Sequence, residues 1–169
     1  MKTYVTAAVI ITSLLSSVPL HAGQDDAFVE FKVLKPEIAI KLAVNTMSLC
    51  RDMGYQVGVA VVDRFGLTQA FVKDRYAGMH VEETAKRKAW TAVSFRGSTL
   101  DLDAATKPDK EGFGIRFISQ PLPLGGGVLI EADGSIVGGI GVSGAPGTEI
   151  DDECARAGIA TIEDDLLGF

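Results

Sequence analysis

Histidine, cysteine and tryptophan are scarce in this 169-residue chain, and each scarcity removes a class of chemistry. Two histidines (His21, His80) and two cysteines (Cys50, Cys154) form neither a CxxC nor an HExxH motif. They make a weak ligand set for tetrahedral zinc. There is no GxSxG elbow and no Walker loop, so no serine is marked as a nucleophile and no loop as a triphosphate cradle. A Ser-His-Asp triad would have to be built on His80. A basic stripe with interleaved aromatics is missing too: 16 Lys and Arg face 22 Asp and Glu, a net charge of −6. That balance argues against nucleic acid and anionic lipid as partners. No apolar run approaches the roughly 20 residues of a membrane span.

The apolar run from Tyr4 to Leu15 has the length of a signal-peptide core instead. Lys2 precedes it, Pro19 breaks it, and Leu20-His21-Ala22 ends in the small residue a signal peptidase requires. We expect residues 1–22 to be a signal peptide, cleaved after Ala22, and residues 23–169 to be one periplasmic or secreted domain; an uncleaved anchor is the alternative. Losing Lys2 would leave 15 basic against 22 acidic residues, a net charge of −7, and His80 as the single histidine. Export makes a Cys50–Cys154 disulfide chemically possible, and closing a loop of about 100 residues would add roughly 4–5 kcal/mol in the chain-entropy model. Two buried thiols are the other possibility.

Along the chain, Pro36 fits a first helical turn and Gly54 a stop, and Ile38, Leu42, Leu49 and Met53 recur at helical spacing, predicting a helix over 36–53. Residues 56–62 (QVGVAVV) and 67–73 read as strands around the turn Asp63-Arg64-Phe65-Gly66. A helix over 80–96 follows, with Ala85, Ala89 and Ala92 on one side, small enough for close approach to a sheet. Residues 100–123, with three prolines, suggest short helical turns and loop. Strands over 127–131 and 135–142 flank the turn pair Asp133-Gly134. A last helix is expected over 149–166, with Thr148 as its N-cap and Asp151 at the capping-box position. The order implies an α+β domain with an antiparallel sheet.

Two patterns invite a reading that their context discourages. Residues 139–144 spell GxGxxG after a strand and before a helix. A dinucleotide site needs a βαβ unit, and too little chain follows for one. The glycines instead keep a strand surface bare for close packing, with an anion at the helix start as a lesser option. The acidic run Asp151-Asp152-Glu153 reads as a solvated helix face, because adjacent helical residues do not face each other.

The stretch "AGMHVEETAKRKAW" (77–90) stands out for charge. From Lys73 to Arg96 six basic residues oppose three acidic ones, a +3 island in the acidic domain that suits a small anion. The positive end of a helix dipole disfavours a further positive charge, and metal takes the neutral form of imidazole. His80 shares a helical face with Thr84, Arg87 and Thr91; Met79 beside it offers a thioether, and Tyr76, Phe71, Trp90, Phe113 and Phe117 offer apolar surface. An iron ligand, apolar walls and cations for two carboxylates are the parts of a haem site. Residue types alone equally allow a surface or capping histidine.

The stretches "GVAVVDRFG", "ETAKRKAWTAVSF" and "LPLGGGVLIEADGSIVGGIGVSGAPGTEIDDECARAG" resemble the GlcG/HbpS-like family of small haem-binding proteins, also found as the C-terminal domain of PduO-type proteins. The resemblance spans about Pro36 to Gly158. It implies a profilin-like α+β fold with a central antiparallel sheet packed between helices, self-association into a homo-oligomer, and haem (haem b) as cofactor. It also puts the first and last helices on one side of the sheet, which favours Cys50–Cys154 pairing. The candidate axial ligands are His80 and Met79, with Lys73, Arg75 and Arg87 as partners for the haem propionates. The implied role is capture, storage or carriage of haem, with a haem receptor or sensor as a possible partner and no nucleic acid or membrane insertion. No motif requires a reaction. Two rivals are an accessory protein or enzyme binding a small carboxylate through Lys86–Arg87 and the bare glycine strands, and an assembly module whose glycine strands form the interface.

Overall fold

The computed structural model describes residues 27–167; the expected leader lies outside them. Helix α1 (Pro36–Asp52) starts on Pro36 and stops before Gly54, whose φ of +93° only glycine adopts without strain. Strands β1 (Gly58–Asp63) and β2 (Thr68–Lys73) form the first hairpin. Helix α2 (Val81–Phe95) follows, then α3 (Thr99–Ala105), capped by the Ser98 hydroxyl, and a 3₁₀ segment (Glu111–Phe117). Strands β3 (Gly127–Ala132) and β4 (Ser135–Ser143) form the second hairpin, and α4 (Thr148–Ala160) and a short α5 (Glu163–Leu166) end the domain. All pairings are antiparallel, in the order β2-β1-β4-β3.

The sheet has two unlike faces because side chains alternate along each strand. Val59, Val61, Ile130, Ile140 and Val142 point to one side, where α1 and α4 cover them. Gly58, Ala60, Gly127, Gly139 and Gly141 point to the other, where α2 lies across β4, β1 and β3. A Cβ on Gly141 would stand 2.0 Å from the Ala85 carbonyl oxygen, and one on Gly127 2.3 Å from that of Lys88. The GxGxxG pattern is thus a packing surface for a helix whose own contact residues are Ala85, Ala89 and Ala92, all fully buried.

Some local expectations shift. The buried stripe of α1 runs through Ala39, Leu42, Ala43, Thr46 and Cys50, while Met53 is exposed. Small residues win that face because α4 packs tightly there: a Cβ on Gly158 would meet the Thr46 hydroxyl at 1.9 Å. The last helix breaks at Thr161, and its N-cap is Gly147, not Thr148. Asp151 is drawn away from a capping box by a partner described below. Cys50 and Cys154, both fully buried, lie where α1 meets α4 and are joined in a disulfide with Cα atoms 5.7 Å apart.

Two outcomes test this packing. Gly141→Ala should destabilise the domain by at least about 3 kcal/mol, since backbone rather than a flexible side chain must yield. Gly114→Ala, with open space around it, should change little in the same denaturant titration. Thiol titration of the denatured, unreduced protein should find no free cysteine, and reduction should lower the melting temperature markedly.

Candidate functional site

The loop between β2 and α2, residues 74–80 (DRYAGMH), is built as an inside and an outside. Inside, Asp74 is almost wholly buried: its amide donates to the Val57 carbonyl at 2.9 Å, and its carboxylate accepts from Arg51 Nε at 2.8 Å and from the Arg75 amide at 2.7 Å. Ala77 and Val81 are also buried, and the Lys73 ammonium donates to the Ala77 carbonyl at 2.6 Å. The hydrogen bond from Arg51 holds the Asp74 carboxyl below the ordinary carboxylate range, against the opposing effect of burial. Outside stand Arg75, Tyr76, Met79 and His80, with Tyr76 82% and Met79 96% exposed. Such large, exposed apolar groups on an anchored loop are a feature to explain.

His80 is the N-cap residue of α2, and its carbonyl accepts from the Thr84 amide at 3.1 Å and hydroxyl at 2.9 Å. Its imidazole rests against Gly78, where a Cβ would lie 2.6 Å from Cε1 and 2.8 Å from Nδ1. Three expected site residues, Arg75, Met79 and His80, therefore share one loop, and Lys73 ends β2 just before it. Arg87 sits two turns further along α2, and its guanidinium donates to the carbonyls of Ser119, Gln120 and Pro121 at 3.1–3.2 Å. It pins the loop that follows the 3₁₀ segment. Because Lys73 and Arg87 mostly meet neutral carbonyls, their charge is left largely uncompensated; Arg87 has only a long, exposed contact to Glu83 at 3.5 Å. Lys86 pairs with Glu82 at 2.7 Å, and the bare glycine strands lie under α2, so these do not combine into an open anion pocket.

A buried polar centre escaped the sequence reading. Lys88, 1% exposed, passes the edge of the glycine face to donate to the Val142 carbonyl at 2.9 Å and to Asp151 at 2.8 Å. The other Asp151 oxygen accepts from the Ala145 amide at 3.0 Å. The backbone amides before α4 do hold an anion, and it is the chain's own carboxylate. Asp152 is buried as well, accepting from Arg156 at 2.6 Å and from Ser98 at 3.3 Å. The run 151–153 is thus no solvated acidic face. Burial pushes the Lys88 ammonium down and the Asp151 carboxyl up, each opposed by the other's charge. Sealed from solvent, this pair ties α2 to α4 and makes no contact a ligand could share. The only local signal was a lysine at the helical spacing of Ala85, Ala89 and Ala92. Among the described residues no group of three or more His, Cys, Asp or Glu could hold a metal ion, and no helix is long and apolar enough to cross a membrane.

The sequence model of the family described as "Haem degrading protein HbpS-like" matches residues 34–160, most of the chain. The chain belongs to the HbpS-like family. A solved HbpS double mutant from Streptomyces reticuli superposes with a TM-score of 0.76 at 32% identity, covering 93% of this chain and 99% of that one. A solved PduOC–haem complex superposes with a TM-score of 0.71 at 27% identity, covering 78% and 96%. The corrinoid adenosyltransferase PduO of Salmonella typhimurium is 32% identical over 108 residues, 63% of this chain. This chain spans about a third of the length of the PduO relatives it matches. The chain therefore shares its fold with both solved structures, one of which is a haem complex.

The anchoring of the loop has a pH signature. A carboxyl held low in the folded state contributes stability above the ordinary aspartate range, and the contribution is lost as pH falls through the folded value. Asp74→Asn should cost roughly 2 kcal/mol at pH 7. In parallel denaturant titrations the gap from the unsubstituted protein should close as pH falls below the ordinary aspartate range and through the lowered folded value.

Proposed function

We propose that this chain is an exported haem-binding protein that captures, stores or carries haem, with the iron ligated at the start of α2. What carries the reading is the presentation of His80 and Met79 on an anchored loop, with Tyr76 beside them, in a chain of the HbpS-like family. Imidazole, thioether and phenolate are each known axial ligands of haem iron. The chain's own residues suit the rest of a haem b. Tyr76 and Met79 supply apolar surface for the flat ring, and Arg75, 67% exposed at its side chain and held only by a 3.7 Å ion pair to Asp74 among the described residues, is the cation on the loop for a propionate. Lys73 and Arg87 add positive field while remaining tied to backbone carbonyls.

The residues fit a ligand held at the surface. A ring held on this loop would take its iron ligand from His80 or Met79, and a second copy of the chain would be the cover for its exposed side. We therefore take the working form to be a homo-oligomer in the periplasm or outside the cell, where the Cys50–Cys154 bridge is stable. Haem, when bound, supplies the iron; the chain orients it and shields part of its ring.

Adding haemin to the purified protein should yield a sharp Soret band with a defined stoichiometry. His80→Ala should weaken binding at least tenfold or shift the band to that of a different ligand set. A spectrum left unchanged by His80→Ala, Met79→Ala and Tyr76→Phe alike would remove the loop as the iron site.

A further inference from the structure

We propose that a cleft at the far end of α2 binds a small planar carboxylate, separately from the haem loop. The cleft, about 480 Å³ in volume, lies where the C-terminus of α2 meets the β1–β2 and β3–β4 turns. That volume is in the range of small-molecule sites. Its lining includes Arg64, Arg96, Trp90, Phe65, Ser94 and Ser135, and no carboxylate among the described residues. It stands roughly 22 Å along the 15-residue α2 from His80.

Three features point to an anion on a flat body. First, neither Arg64 nor Arg96 meets a carboxylate among the described residues. The nearby acids are engaged: Asp63 accepts from the Phe65 and Leu67 amides at 2.8 and 3.0 Å, and Asp133 pairs with Lys32 at 3.8 Å. Arg64 lays its guanidinium face on Phe31, 3.9 Å from the ring centre, which leaves its N–H edge for a carboxylate. Second, the Trp90 indole is fixed against Gly66, where a Cβ would lie 2.4 Å from Cδ1, and its N–H has no partner among the described residues. Indole and guanidinium both line the cleft, each a flat group with an N–H edge. Third, α2 ends on Arg96 at φ 55°, a left-handed conformation that glycine adopts more readily, although Gly97 is the next residue. An arginine at that position places a cation at the cleft at the expense of backbone strain. Among the described residues no imidazole, thioether, thiolate or phenolate lines the cleft, and those residues offer haem iron no axial ligand.

Trp90 is the chain's single tryptophan and reports directly on the cleft. Titrating benzene-1,3-dicarboxylate into the intact protein should change tryptophan fluorescence saturably; the matching dicarboxamide should not. Arg64→Gln and Arg96→Gly should each weaken binding at least tenfold. Arg96→Gly should keep or raise the melting temperature, because it relieves the left-handed backbone, so lost binding there is not unfolding. His80→Ala should leave the affinity unchanged, which keeps this test separate from that of the haem loop. The proposal falls if no saturable change occurs, if the diamide or inorganic phosphate binds equally well, if both arginine variants bind normally, or if His80→Ala abolishes the response.

Discussion

Everything in this domain is referred to the contact between α2 and a sheet face that has almost no side chains. Gly127, Gly139 and Gly141 let the helix backbone settle where any Cβ would collide with the carbonyls of Ala85, Lys88 or Ala89. Buried methyl groups on the helix side complete a layer with few voids, which is how interiors reach their density. The same closeness lets Lys88 reach the Val142 carbonyl and Asp151 beyond it. The helix is thereby tied to the sheet by packing and to α4 by a buried charge pair. Burying two ions is costly, so the pair contributes more to fixing one arrangement than to net stability.

Setting the helix so firmly also sets its two ends. At the N-terminal end, β2 and α2 are joined by a loop whose inner residues are pinned by Asp74 and Arg51 and whose outer ones are offered to solvent. At the C-terminal end, the helix stops between two hairpin turns and leaves an aromatic, arginine-edged cleft. Both ends are positive in an acidic protein. Lys73 and Arg87 keep their field because they donate mainly to neutral carbonyls, and Arg64 and Arg96 because no carboxylate among the described residues meets them. A negatively charged chain can in this way still receive small anions locally while its overall field discourages large ones.

Much of the fold was legible in the residues because its signals are local. The β-rich run VGVAVV, the Asp133-Gly134 turn and the Pro36 and Gly54 boundaries are each decided within a few positions. The glycine strand and the alanine stripe were legible as a pair, since each makes sense only if the other packs on it. The start of α2 and the residues of loop 74–80 were likewise legible. The role of Asp151 and Asp152 was not. A carboxylate aimed at solvent and one aimed at a lysine 63 positions away look the same in a helical pattern. The buried face of α1 was misjudged in part for a related reason: Leu42 is buried as its spacing suggests, but the larger Met53 is exposed, and Gly158 brings α4 so close that Thr46 fills the contact.

The residues by themselves determined the elements, the antiparallel pairing of hairpins and the family to which the chain belongs, because those follow from short-range sterics and from motifs that need no partner. Only the tertiary structure decided which charges are buried, which cations remain uncompensated among the described residues, and that Arg64 from the β1–β2 turn lines one cleft with Trp90 and Arg96 of α2. Such outcomes depend on groups far apart in sequence, and chain order carries no distance between them until the helix has settled on its bare sheet.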